Sequence, residues 1–189
     1  MGNLLKYSGI VTKIRAMEAK LLTPEQFADI ANLRSVPDIA DYLRKNTAYA
    51  EVLDTLTEDQ IHRGNIEKVL VQSLYHDYTK IYRFCGQSQR EFMKLIMKGY
   101  EIELINYCLR IVINHYQEPF DLNHKNAFFD RYSQISIGKL ITARTTDELV
   151  ENLKETEYYA PLKKIKDTDN VTLYDYNLAL DLYYYTSTW

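Results

Sequence analysis

An all-α fold is predicted for this 189-residue chain by three features of its sequence. At six candidate helix starts a Ser or Thr is followed three residues later by an acid or Gln, the pairing that satisfies the free N–H groups of a helix start. Apolar residues recur at steps of three and four, the period of one helix face. Only 6 Gly and 4 Pro interrupt the chain, and no stretch alternates as a half-buried strand would.

The elements follow in order. Tyr7, Ile10, Val11, Ile14, Met17 and Leu21 form the apolar stripe of an N-terminal helix. Thr23–Gln26 opens the next helix, with Pro24 at its first position, where the missing N–H would have been unpaired anyway. Ser35–Asp38 opens a third. Thr57–Gln60 is read as the start of a helix whose stripe runs through Ile66, Val69, Leu70, Leu74, Ile81 and Phe84. Ser88–Glu91 opens the longest helix, from Gln89 to about Tyr116, carrying Phe92, Leu95, Ile96, Tyr100, Leu104, Tyr107, Cys108, Ile111 and Val112 and ended by Pro119. Residues 117–136 are the loosest, although Phe128 and Phe129 require a core. Thr145–Glu148 and Thr172–Asp175 open the remaining helices.

The sequence also repeats. Shifted by 110 residues, 28–53 falls on 138–163, so that Arg34 meets Arg144, Leu43 meets Leu153, Tyr49 meets Tyr159 and Ala50 meets Ala160. Like replaces like around these identities: Ile30 and Leu140, Asp38 and Glu148, Val52 and Leu162; Leu70 and Tyr75 then fall on Leu180 and Tyr185. A period this long is a domain-sized duplication, not a solenoid unit. The domains expected are a first helical unit with its N-terminal helix, 1–120, and an incomplete second unit, 121–189. One spacing disagrees: the Thr57 and Thr172 caps are 115 residues apart, which implies an insertion or a misassigned cap.

Composition excludes several functions. The net charge of −3 gives no reason to expect nucleic acid or an anionic membrane as partner. No stretch approaches a membrane span, and the N-terminus does not resemble a signal peptide. Cys85 and Cys108 are too few for a disulfide scaffold and are read as reduced structural thiols in a cytoplasmic protein. The 17 tyrosines suit positions half in a core and half at a contact.

Catalytic chemistry is hard to find. The glycines are scattered singly, so no phosphate loop exists, and zinc spacings and nucleophile elbows are absent. Two acid-x-x-His steps, Asp59–His62 and Asp121–His124, match half of a helical di-metal pattern. Asp59, however, is placed as a first-turn acid and Asp121 in the loop after Pro119, so capping and solvation explain them better. Cys108 and His115 share a helix face, where a buried thiol beside a surface imidazole is the simpler account. Glu101 and Glu103, two apart, point in different directions and read as a solvated face with some ion pairing. The run Tyr183, Tyr184, Tyr185 lacks the basic groove of a nucleobase-stacking surface and reads as helix packing. Tyr49 and Tyr159 are each expected to pack the ring within their own unit with the hydroxyl on a polar partner; the alternative is a matching contact, with Arg34 and Arg144, to a shared partner. No catalytic, cofactor-binding or metal-ligating residue is expected.

The segments YSGIVTKIRAMEAKLL, LRSVPDIADYLRKNTAYAEVL, FMKLIMKGYEIELINYCLR, LITARTTDELVENLKETEYYAPL and LALDLYYY, in this order, resemble the C subunit of bacterial and archaeal V/A-type rotary ATPases, related to the d subunit of the eukaryotic vacuolar proton pump. The resemblance covers nearly the whole chain and is specific as an ensemble. It implies three similar helical domains around a pseudo-threefold funnel, of which this chain matches the N-terminal part. It implies a non-catalytic central-stalk piece, cytoplasmic and peripheral on the membrane, with the central shaft subunits and the membrane rotor ring as partners. The competing readings are a generic helical adaptor for a partner helix and a helical metalloprotein using the acid-x-x-His steps. The last helix carries apolar side chains around much of its circumference, so self-association or fraying of the chain is expected.

Overall fold

The computed structural model describes residues 2–116, 121–166, 168 and 170–188, with side chains from Tyr7 onward. It is all-helical: α1 (Gly2–Glu18), α2 (Pro24–Ala31), α3 (Val36–Asn46), α4 (Ala50–Leu53), α5 (Arg63–Phe84), α6 (Gln87–Ile113), α7 (Asn126–Tyr132), α8 (Ile137–Leu140), α9 (Thr146–Asn152), α10 (Tyr159–Lys166) and α11 (Leu173–Thr188), with 3-10 turns at Glu58–Gln60 and Asn123–Lys125. No strand occurs among the described residues.

Four of the six cap pairs open helices as expected. Thr23 Oγ1 accepts from the Gln26 N–H while Gln26 Oε1 accepts from the Thr23 N–H, at 3.3 and 3.0 Å. Ser35 and Thr145 accept from the N–H groups of Asp38 and Glu148, each at 3.2 Å. Asp175 reaches back to the Thr172 N–H at 2.8 Å.

The other two depart from expectation. Thr57 opens only a 3-10 turn; the long helix α5 is capped by His62, whose Nδ1 accepts from the Asn65 N–H at 3.4 Å. His62 stands 110 residues before Thr172, the same spacing as Ser35 and Thr145. Ser88 lies inside α6, whose start is held by Gln89, its Oε1 accepting from the Gly86 N–H at 2.6 Å.

The far end of α6 differs too. The helix stops at Ile113, and His115 adopts φ 51°. The His115 N–H bonds the Val112 carbonyl at 3.2 Å and the Tyr116 N–H the Ile111 carbonyl at 3.1 Å. That pair of bonds closes a helix through a left-handed residue, here without a glycine. His115 therefore terminates the helix instead of sharing a face with Cys108; Pro119 lies outside the described residues.

The chain packs as two compact units, one up to Arg90 and one from Glu91 onward. In the first, α1 lies on α5, and α3, α4 and α5 enclose a core of Ala40, Leu43, Leu53, Ile66 and Val69. The stripe of α1 is largely exposed at Tyr7, Val11 and Ile14. On α5, Leu74 and Phe84 are exposed and Tyr75 and Tyr78 are buried instead, a rotation of the buried face from the one the stripe suggested.

In the second unit, α6 buries Ile102, Leu104, Ile105, Cys108 and Leu109. The segment read as loose contains α7, whose Phe128 and Phe129 are both buried and lie edge-on at 5.8 Å. Two large apolar rings, each worth roughly 1.5–3 kcal/mol when buried, outweigh a sequence with no capping side chain. Helices α8, α9, α10 and α11 then pack in succession.

Candidate functional site

The chemistry of the second unit converges on Glu101. The residue is only 2% exposed, the sole charged side chain in either core among the described residues. It lies on the apolar face of α6, in line with Met97, Leu104, Ile105 and Cys108, all buried. Its Oε1 accepts from Ser133 Oγ at 2.5 Å and from the Gln134 N–H at 3.0 Å, and its Oε2 from the Tyr158 hydroxyl at 2.5 Å and, more weakly, from Gln134 Nε2 at 3.4 Å. A carboxylate offers about four acceptor sites, so its capacity is used in full. The expectation of a solvated Glu101 is overturned: the apolar period of α6 turns it inward, and the corner at 133–134 and the turn before α10 supply the donors that make burial tolerable. Glu103 is exposed, as expected.

A second carboxylate extends the network. Glu157 accepts from Gln134 Nε2 at 3.0 Å and from the Tyr183 hydroxyl of α11 at 2.7 Å, and pairs with Lys98 Nζ of α6 at 3.1 Å. Gln134 thus bridges the two acids. Lys98 also lies 5.4 Å from the centre of the Tyr183 ring, and the rings of Tyr158 and Tyr183 meet edge-on at 5.9 Å. Burial, then the Glu101 charge and hydrogen bond, drives the Tyr158 phenol far above its usual range. Tyr183 is pushed up to about 12, first by burial and then by Glu157. For Glu157, burial opposes ionisation, but hydrogen bonds from Tyr183, Lys98 and Gln134 together outweigh it and hold the carboxyl below the usual range.

This network ties α6 to the 133–134 corner, the turn before α10 and α11. A Tyr whose phenol is held so firmly protonated is no base. Sequence reasoning missed Glu101 although the signal was there: the carboxylate stands four residues after Met97 and three before Leu104, on one apolar helix face.

The other candidates are dispersed. Asp59 is exposed on its 3-10 turn and His62 is a cap; Asp121 is exposed and His124 sits on the second 3-10 turn. No three His, Cys, Asp or Glu side chains come together as a metal site among the described residues. Cys85 and Cys108 are free and buried, and burial pushes the Cys108 thiol up to about 12, which leaves it unreactive. Arg34 and Arg144 are exposed, while Tyr49 and Tyr159 are half-buried; the Tyr159 hydroxyl donates to Glu151 Oε1 at 2.9 Å. Tyr184 is half-buried beside Tyr185, which is exposed. An open recess of about 450 Å³ near His115, Arg144 and Lys166 also contains Asp147, which pairs with Lys166 at 3.3 Å, so its charges are partly answered from within.

What remains open to partners is apolar helix surface. On α11, Tyr174, Leu178, Leu182 and Tyr185, spaced by three and four, are 69, 42, 56 and 61% exposed. No helix among the described residues is long and apolar enough to cross a membrane.

The all-helical structure can be set beside the proteins the chain is similar to. Residues 10–189 match the family described as ATP synthase (C/AC39) subunit. The chain is 27% identical to the C subunit of the A-type ATP synthase of Methanosarcina mazei, over 86% of this chain and 44% of the relative. Against the protein of the same name from Thermococcus kodakarensis it is 23% identical, over 84 and 41%. For that of Methanocaldococcus jannaschii the identity is 24%, over 98 and 46%. The chain thus spans less than half the length of these curated relatives. With its family matched across nearly all of its length, the chain belongs to the ATP synthase (C/AC39) subunit family.

Proposed function

We propose that this chain is a central-stalk piece of a V/A-type ATPase or ATP synthase, coupling the rotating shaft of the soluble head to the membrane rotor ring during ATP-driven or ATP-forming ion transport. The observation that carries this reading is the family match across residues 10–189. The part is mechanical and non-catalytic: it holds two partners at fixed positions and passes torque between them. Helices of many turns such as α5 and α6 supply stiffness, and the Glu101 network ties α6 to three other segments of its unit. Exposed apolar surface on α1, α5 and α11 is available for helical partners. Membrane association is then peripheral, through the ring.

In this reading residues 1–120 and the residues from 121 onward derive from one duplicated helical unit. The caps Ser35 and Thr145, and His62 and Thr172, support it by keeping one spacing. Self-association of the isolated chain through the outer face of α11 belongs to the same reading and is measured by sedimentation velocity.

The test is reconstitution. The purified chain is titrated against the isolated shaft subunits and against the rotor ring in nanodiscs. Saturable binding to both, without ATP hydrolysis by the chain itself, is expected. A folded chain that binds neither contradicts the proposal and favours a generic helical adaptor.

A further inference from the structure

The two halves of α11 are held by different forces. Up to Leu180 the helix is anchored by Tyr176 and Leu180, both buried. From Asp181 to Thr188 no residue is buried. That second half is attached mainly through polar groups: the Tyr183 hydroxyl on Glu157 at 2.7 Å, Lys98 Nζ on Ser187 Oγ at 3.4 Å, and Lys98 across the Tyr183 ring. The edge-on contact of that ring with Tyr158 at 5.9 Å is a ring contact to the inner network. Glu157 is itself held by Gln134 and Lys98. Glu101, by contrast, is bonded to Ser133, Gln134 and Tyr158, and to nothing on α11.

We propose that Glu157, Lys98 and Tyr183 form a conformational clasp that opens and closes the second half of α11 independently of the rest of the unit, with Leu180 as the hinge. Closed, the clasp covers the stretch of α6 around Lys98 and Gly99, where the Tyr184 hydroxyl also lies. Open, it uncovers that stretch together with the inner faces of Tyr183 and Tyr184. The inner network does not open with it, because its carboxylate and all its donors lie on other segments. Gln134 is the joint between the two: it stays on Glu101 through its backbone N–H while its side-chain amide reaches Glu157. Local opening of this kind belongs where few apolar contacts and many solvent-reachable hydrogen bonds hold an element.

Amide hydrogen exchange on the whole chain, read segment by segment, tests this. A hydrogen bond to a charged acceptor is worth enough that Tyr183→Phe should speed exchange of residues 181–188 about ten-fold. Residues 173–180 and α6 should stay within about two-fold of wild type, since independent sites do not share such effects. Glu157→Gln, which preserves shape, should act in the same direction, and Tyr185→Phe on the exposed face should do nothing. Equal acceleration throughout the unit would show a purely global contribution and overturn the clasp; so would no acceleration at 181–188. If the variants fail to fold, the wild-type chain in low denaturant still decides: exchange at 181–188 must proceed by an opening nearly insensitive to denaturant, while 173–180 follows global unfolding. Loss of protection in both halves at one denaturant concentration would refute the hinge.

Discussion

Residues 35–62 and 145–172 solve the same folding problem with different polar groups. Each begins at a hydroxyl cap, Ser35 or Thr145, and each buries a Leu 8 positions later, Leu43 or Leu153. Each then turns on a threonine whose hydroxyl bonds that Leu's carbonyl, Thr47 at 2.5 Å and Thr156 at 2.7 Å, and which receives the N–H of a Tyr two residues on. Each buries a second Leu, Leu53 or Leu162, completely. What differs is how the turn is tied down. In the first stretch Arg44 donates to the carbonyls of Leu53 and Leu56 at 2.8 and 3.0 Å and lies 3.5 Å from Asp54. In the second, Lys154 stands in its place and is exposed, and the turn is held from inside by Tyr158 on Glu101. The apolar positions carry the shared pattern, and the polar fastening is free to change.

The comparison also moves a residue. Between the leucines and the threonines the spacing falls from 110 to 109, because α3 runs to Asn46 whereas α9 ends at Asn152. By hydrogen bonding, the counterpart of Tyr49 is Tyr158, not Tyr159. The single-residue slip sends Tyr158 into the core and leaves Tyr159 half outside.

The sharpest way to break the comparison is to remove the inner fastening. Glu101→Ala leaves Tyr158, Ser133 and the Gln134 N–H without their acceptor inside the unit and should destabilise it by about 3–5 kcal/mol. Glu103→Gln, two positions along on the exposed face, should change stability by less than about 0.5 kcal/mol. Denaturant midpoints of the two variants decide the matter, and equal effects would mean that Glu101 is not a hub.

A smaller loss is expected in the first unit. Arg44→Met keeps the buried stem but frees two carbonyls, at about 1–3 kcal/mol, whereas Lys154→Met should be near neutral. If Lys154 matters as much as Arg44, the two stretches are fastened alike and the contrast fails.

Much of this was legible in the sequence. Four caps were found because a hydroxyl followed by an acid or amide describes a local hydrogen bond that needs no tertiary partner. The helices bearing strong stripes were found for the same reason. The His62 cap was missed because imidazole rarely plays that role. The end of α6 was missed because a left-handed His looks like any other residue in sequence. Glu101 and Tyr158 form a pair 57 positions apart, and no local pattern announces a partner at that distance.

The smallest effect is a pH dependence. Burial and then Glu157 push Tyr183 up to about 12, while an unfolded phenol titrates near 10. Over that interval the unfolded chain holds fewer protons than the folded one, so stability falls as pH rises. The contribution is complete below about 10 and is lost through about 12. Tyr158, also raised, adds in the same direction. On the acid side Glu157, held low, contributes above the usual carboxylate range and is lost as pH falls through its lowered value. Stability against pH for Tyr183→Phe should lose part of the alkaline slope; an unchanged slope would detach Tyr183 from it.

The most direct measurement compares amide exchange in Glu101→Gln and Arg44→Met, resolved along the entire chain. If each stretch carries its own fastening, Glu101→Gln accelerates exchange in residues from Glu91 onward, Arg44→Met does so up to Arg90, and neither crosses over. Acceleration of both units by either substitution would contradict the account, since one cooperative core would then hold the whole chain.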